Sequence, residues 1–516
     1  MSHHPHWLAW LVPLVYLLGA ALALAHRRCW DVLNWAAASA LGMALAGDLL
    51  SLAPHEAGGA APPVAAAVMT LVAFLGWIVA RYSRGNLAGE PGERRFTVAL
   101  LTTLASVGGV LAASSVAVLI LAWICSSLAL HPLLRHYRDR PLARLAARKK
   151  FITSRLAELC LVSAAALLYV HCHTFDLAAL DQIAARGGGS CESLRLAATL
   201  LAAAVLLKSA QLPVHGWLIQ VMEAPTSVSA LLHAGVINLG GYVLIRLAPL
   251  LAASPLAEGL LVLVGSSSAV LAGLTMMTTT SRKGRLAWST CSQMGLMAAE
   301  CGLGLYDLAL LHLIGHALYK AHAFLSSGEA VRESTVHRMQ PAARRVSGAT
   351  ALAALAAGGL LAGGSAALWR LGLHTAQVPR IALLVCSLGI ATLLWNTAMN
   401  LRAWVHNLAA AAAGMQLYLL WHLCLGDTLH IASVHPLPAL VLCSATCFLA
   451  LYLAQWHVLS TTAHTGPARL YAWSAAGYFL DEPLTRLASC RWPLRGTRRG
   501  SARFGQWLAQ REGETA

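Results

Sequence analysis

Charge is what this chain has least of. Lys, Arg, Asp and Glu make up 11% of its 516 residues, and lysine occurs only five times. So little charge cannot cover a water-soluble body of this size. Apolar residues make up 58%, and runs of about 20 of them, enough to cross a bilayer, recur along the whole chain. No CxxC pair is present among the twelve cysteines, which are scattered mostly through apolar stretches. A disulfide framework is therefore not indicated, and Cys443 and Cys447, four apart on one helix face, suit packing. His171-Cys172-His173 has donor chemistry for a metal but reads better as an interfacial polar cluster. No nucleotide-binding loop, zinc motif, haem motif or Ser-His-Asp arrangement occurs, which argues against redox chemistry and covalent catalysis in this chain. The first apolar run, 7–25, lacks a basic n-region and a small-residue cleavage site, so it reads as a retained span.

What is there is a polytopic, all-α pattern. Hydropathy predicts about fifteen transmembrane helices, the first at 7–25 and the last at 436–459. The formal charge of +16 is not a nucleic-acid signature, because the arginines cluster in short loops and in the tail. His26–Asp31, Arg81–Arg95, Arg135–Lys150, Ser281–Arg285, Arg332–Arg345 and the tail from Arg486 to Arg511 are basic. Pro54–Pro63 and His173–Ser190 are nearly free of Lys and Arg. The positive-inside rule then puts the N-terminus outside and the C-terminus in the cytoplasm, with an odd number of spans. Four regions follow: N-terminal spans at 1–114, a core at 115–330, C-terminal spans at 331–459 and a basic tail at 460–516. The tail carries Trp492 and Trp507 and is expected to lie on the cytoplasmic lipid surface.

Against that background Lys208 stands out, inside LLKSAQLPVHGWLIQVMEAPTSVSALLHAG. An ammonium at a helix centre costs about 2.5–3.5 kcal/mol on insertion scales. Pro213 removes a helical hydrogen bond just beyond it and predicts a broken seventh span over 194–223. Unwound backbone at membrane depth survives only where it is buried in protein or lines a polar cavity, and transporters build ion sites from interrupted helices. Glu223 closes the break and is expected to pair with a lysine on a neighbouring helix. His233 follows in the next span. An amine in a low-dielectric site exchanges its proton near neutral pH, and an imidazole does so with little perturbation. Alone, His233 would read as a satisfied core histidine; beside Lys208 and Glu223 it reads as a proton carrier.

A second group is His312, His316 and Lys320 in LLHLIGHALYKAHAFLSSG. Spacing of four places all three on one helix face, about 6 Å apart along the axis. Such a stripe facing a bundle interior is what a proton relay needs. A third group is Lys283, at the start of a helix, followed by Ser289; it competes with an ordinary snorkelling lysine. Glu158, after Lys149, Lys150 and Arg155, reads as a partner that tunes a buried lysine or as a helix-end ion pair. Ser229 and Ser289 are candidates to orient these groups.

KSAQLPVHGWL, APTSVSALLHAG, GRLAWSTCSQMG and HLIGHALYKAHAFLSSG, over about 115–330, resemble the antiporter-like membrane subunits of respiratory complex I, Mrp antiporters and membrane hydrogenases. The resemblance implies an inverted-repeat bundle and assigns proton transfer to Lys208, His233, Lys283, His312, His316 and Lys320. Three features depart from it. The family's glutamate after a tryptophan in the fifth span is missing, since Ile124 follows Trp123 and no acid lies between Val116 and Leu134. The C-terminal spans contain no lysine, and the long lateral helix of the largest complex I subunit is absent. AWICSSLALHPLLRHYRDRPLARLAARKKFITSRLAEL and LYKAHAFLSSGEAV are similar instead to the DabB branch, the membrane subunits of DAB inorganic-carbon transporters. That resemblance implies a soluble DabA-like zinc subunit on the cytoplasmic face, with no cofactor in this chain. It implies an ion flow of H+ or Na+ that drives carbon dioxide to bicarbonate. A Lys- and His-rich interior favours H+. The competing readings are an outward-pumping subunit of a complex I, hydrogenase or Mrp-type complex, and a scaffold with a dead ion path.

Overall fold

The computed structural model describes residues 7–51, 63–185, 191–329, 346–373, 378–395, 401–426, 437–460 and 468–490. Arg332–Arg345, most of Pro54–Pro63, Trp492 and Trp507 lie outside them. The regular structure is helical, in the order α1 (Trp7–Ala25), α2 (Cys29–Ser51), α3 (Pro63–Leu87), α4 (Glu93–Ala112), α5 (Val116–Leu134), α6 (Pro141–Cys172), α7 (Leu177–Ala185), α8 (Glu192–Lys208), α9 (Gly216–Gln220), α10 (Thr226–Leu231), α11 (Leu239–Arg246), α12 (Ala248–Ala252), α13 (Pro255–Thr278), α14 (Arg282–Gly302), α15 (Tyr306–Leu325), α16 (Gly348–Leu373), α17 (Arg380–Trp395), α18 (Leu401–Gly426), α19 (Pro438–Ser460), α20 (Ala468–Ala475) and α21 (Glu482–Cys490). Among the described residues, eleven helices are long and apolar enough to cross a membrane. Helices also stand at the other four expected segments. Of these, α8 and α17 are short, at 17 and 16 residues, and α14 is too polar because it opens on Arg282, Lys283 and Arg285.

The helices fall into two compact units. The first comprises 1–240, 314–327 and 480–516, the second 241–313 and 328–479. Residues of the expected core at 115–330 occur in both. In the first unit α1 packs on α2 and α4, α4 on α5, and α6 on α8. α6 is longer than the apolar run suggests. Pro141 occupies its first turn, where a missing N–H costs nothing. The Leu, Ala, Arg and Lys residues that follow are good helix formers. Residues 141–150, expected as loop, are therefore helical, and Lys149 and Lys150 ride on that helix.

α8 ends at Lys208 because the chain turns left-handed at Ala210, where φ is 55°. The amide of Gln211 closes the turn on the Leu206 carbonyl at 3.1 Å. Pro213 then has no N–H to offer, and helix resumes only at Gly216. The next segment, α10 to α11, is almost wholly buried and is interrupted by a π-helical turn at Leu232–Val236 that carries His233. Such turns concentrate at functional positions.

In the second unit α13 and α14 form the most extensive helix pair. A Cβ at Gly265 would stand 2.6 Å from the Gly295 carbonyl oxygen, so only glycine lets the two backbones approach this closely, as at other small-residue contacts between membrane helices. The rest of its core lies between α16, α17 and α19, where Trp395 stacks on Tyr452 at 4.3 Å. The Tyr452 hydroxyl donates to the Ala351 carbonyl at 2.8 Å. The 460–516 region contains α20 and α21, and α21 packs on α6 in the first unit.

Candidate functional site

The first unit holds Lys208 in a pocket built by three helices. Its ammonium donates to the Trp123 carbonyl of α5 at 3.2 Å and lies 4.8 Å from the centre of the Trp123 ring. Glu158 of α6 stands 3.9 Å away, and the two side chains are 7% and 9% exposed. Glu158 also accepts from Arg155 at 2.7 Å. Two helical turns earlier, Lys150 donates to the carbonyl and the hydroxyl of Ser127 on α5. α5 has no acid beside Trp123, and the carboxylate that meets Lys208 comes from α6. An unpaired ammonium at this depth would carry a large desolvation cost, and a carboxylate within 4 Å in low dielectric offsets it. Glu223 lies elsewhere in the same unit. It meets Arg140, just before α6, at 3.4 Å, and not the lysine expected for it.

Glu158→Gln is accordingly expected to cut transport at least tenfold at unchanged protein level, because it removes the carboxylate balancing a buried ammonium while preserving shape. Restoring an acid beside Trp123, as Ile124→Glu in the Glu158→Gln background, should recover part of the loss. Transport assays on membranes with matched amounts of protein decide it; an unaltered rate in the single variant removes Glu158 from the site.

A second buried set lies in the same unit. Lys320 is fully buried, and His316 is 5% exposed. His316 Nδ1 is 3.1 Å from the Asn238 side-chain oxygen. Asn238 is fixed in turn, since its amide donates to the Ala234 carbonyl at 2.8 Å. His233, on the π-helical turn, stacks on Phe324 of α15 with ring centres 4.4 Å apart, and Lys320 acts on it electrostatically. Among the described residues, neither of its ring nitrogens finds a hydrogen-bond partner, nor do the hydroxyls of Ser227 and Ser229. Asn238 was not among the residues picked from sequence, although an amide inside an apolar run is a usable signal.

His312, one turn before His316 on α15, belongs to the second unit. There it bonds Glu300 at 3.0 Å and Gln293 at 2.7 Å. Nearby on the same helix Asp307 bonds His422 of α18 at 2.6 Å. Glu300, Asp307 and His422 are additional ionisable groups; an acid in MAAECGLGL could have marked the first. Lys283 is half-buried in the first turn of α14, which Ser281 caps by accepting from Gly284 N at 3.1 Å. Ser289 donates to the Leu286 carbonyl of its own helix at 3.0 Å.

Lys208 at a helix break thus has its acid on the neighbouring helix, and His316 and Lys320 of α15 meet Asn238 and His233 of the next interrupted helix. Residues 113–363 match the family model of the NADH:quinone oxidoreductase/Mrp antiporter transmembrane region. The chain is 37% identical to the probable inorganic carbon transporter subunit DabB2 of Halothiobacillus neapolitanus, over 82% of this chain and 78% of that protein. The chain belongs to the DabB family. It is 44% identical to the probable inorganic carbon transporter subunit DabB of Hydrogenovibrio crunogenus over 64% of its length, and spans 65% of that relative. In fold it is similar to the Mrp complex from Dietzia sp. DQ12-45-1b, with a TM-score of 0.56, 23% identity, and coverage of 98% of this chain and 60% of that one. It is therefore a multi-pass membrane protein of the transporter and antiporter-like class.

Proposed function

We propose that the chain is the ion-conducting membrane subunit of an inorganic-carbon accumulating complex, coupling inward cation flow to carbon dioxide or bicarbonate capture. The observation that carries this reading is the ammonium of Lys208 at a helix break, balanced by Glu158 from α6. Buried polar atoms of Ser227, Ser229 and His233 that find no hydrogen-bond partner among the described residues suit a path shared with water, because such groups call for a partner. Lys and His groups dominate it, which favours H+ over Na+. The loop charges favour an N-terminus outside and a C-terminus in the cytoplasm of a bacterial inner membrane. The chain itself is not the enzyme in this reading. Hydration of carbon dioxide falls to a DabA-like soluble zinc subunit on the cytoplasmic face, and no cofactor is assigned here. The names of the relatives, probable inorganic carbon transporter subunits, support the carbon substrate. The missing acid of α5 and the lysine-free C-terminal spans count against the outward-pumping alternative.

Each charge moved down the potential contributes about 2.3 kcal/mol per 100 mV, a bias of between one and two powers of ten at about 1.4 kcal/mol per decade. Uptake is therefore expected to collapse when an uncoupler is added to cells whose ATP is maintained by fermentation. Isotopic carbon accumulation measures it, and continued accumulation in uncoupled, ATP-replete cells would overturn the coupling. Co-purification of a large soluble zinc protein separates this reading from the redox-driven one, which requires quinone or iron–sulfur subunits.

A further inference from the structure

Lys149 is wholly buried, and its ammonium is met by Asp481, 332 residues away. Asp481 is brought in by the segment after the last span and stands immediately before α21. Its Oδ2 takes the bond from Lys149, a bond from the Thr485 hydroxyl at 3.2 Å and one from Gln220 of α9 at 3.5 Å. Its Oδ1 is buried and has no hydrogen-bond partner among the described residues. That oxygen occupies the space in which a Cβ at residue 216 would stand, so glycine is required at the start of α9 for the carboxylate to dock. His215 faces the same carboxylate electrostatically. The acid therefore sits against the stretch that follows the break in the helix of Lys208. The next residue along α6, Lys150, is bonded to Ser127 and lies in the field of Lys208 and Glu158. Lys149 adjoins Lys150 in sequence, so an uncompensated charge on it would add to those of Lys150 and Lys208; Asp481 supplies the carboxylate that meets it, as Glu158 does for Lys208.

Resting on the ion-path reading above, we propose that Asp481 is a positioning residue of that path, neutralising Lys149 so that Lys150, Glu158 and Lys208 can exchange a proton. On the proposed topology this makes the segment after the last span part of the cytoplasmic end of the path.

The test uses the full chain with its co-expressed partner subunits, at matched membrane levels, scored by inorganic carbon uptake. Asp481→Asn leaves a bare buried ammonium and is expected to lose about tenfold in uptake. Asp481→Glu should restore at least half. Removing both charges, in Lys149→Met with Asp481→Asn, should return uptake to within about threefold of the parent, because no uncompensated charge remains. A merely structural strut would not recover in the double variant. Asp481→Asn that transports like the parent overturns the proposal, as does a double variant no better than Asp481→Asn. If Asp481→Asn fails to reach the membrane, the double variant decides: assembly with uptake supports the proposal, and failure of both reduces the segment to a folding element and overturns it. Lys208→Ala run in parallel separates the two levels. An inactive Lys208→Ala beside a normal Asp481→Asn sinks only this inference, whereas a fully active Lys208→Ala sinks the ion-path reading beneath it.

Discussion

Lys208→Ala is expected to abolish ion-coupled uptake while leaving the chain in the membrane. The side chain does little for the fold: it lies at the end of α8, where the backbone is already turning at Ala210, and α8 packs on α6 and buries Leu194, Ala197, Ala198 and Leu201, which the substitution leaves intact. Deleting a buried ammonium also removes its desolvation cost. What disappears is the group that holds a charge between Trp123 and Glu158. A loss of at least a hundredfold is expected, in line with deletion of a residue on which every turnover depends. Growth in air of a strain that requires added carbon dioxide, complemented with the variant at the parent's level, is the measurement. Unimpaired growth would remove Lys208 from the coupling.

The second large effect concerns α15. His316→Ala and Lys320→Ala should each remove most of the uptake, and the double variant should be no worse than the poorer single. Residues that act as a unit are non-additive. Both are buried within one turn of each other, and Lys320 and His316 converge on the same segment, at His233 and Asn238. Uptake rates in membranes with matched protein give the cycle. Losses that multiply would mean that the two residues serve separate steps.

Much of this was legible in the sequence because the bilayer imposes simple rules. Long apolar runs had to be helices, and Pro213 beyond Lys208 announced the break. The spacing of His312, His316 and Lys320 placed them on one helix from local geometry alone. The pairings were harder, because they depend on which helices become neighbours. Glu158 carried two readings, tuning partner or helix-end ion pair, and the structure shows both contacts at once, to Lys208 and to Arg155. Glu223 was expected against a lysine and meets Arg140. Asp481 gave no signal at all, since a carboxylate in a charged C-terminal stretch looks solvated and its partner is 332 residues away. The helical start of α6 was hidden by its charge, which hydropathy counts as loop.

The π-helical turn at Leu232–Val236 has a consequence for how this segment can change over generations. An α-helix advances about 100° per residue, and a π turn absorbs one residue more than an α turn would. Point substitutions at 232–236 alter one side chain and leave the rest in phase. Loss of a single residue there would let the turn relax into regular helix and rotate everything on one side of it by about 100° relative to the other. His233 and Asn238 would no longer look toward the same stretch of α15. The segment is thus open to drift in composition and closed to drift in length, and its spacing, more than any one of its letters, is what descendants of this chain must keep.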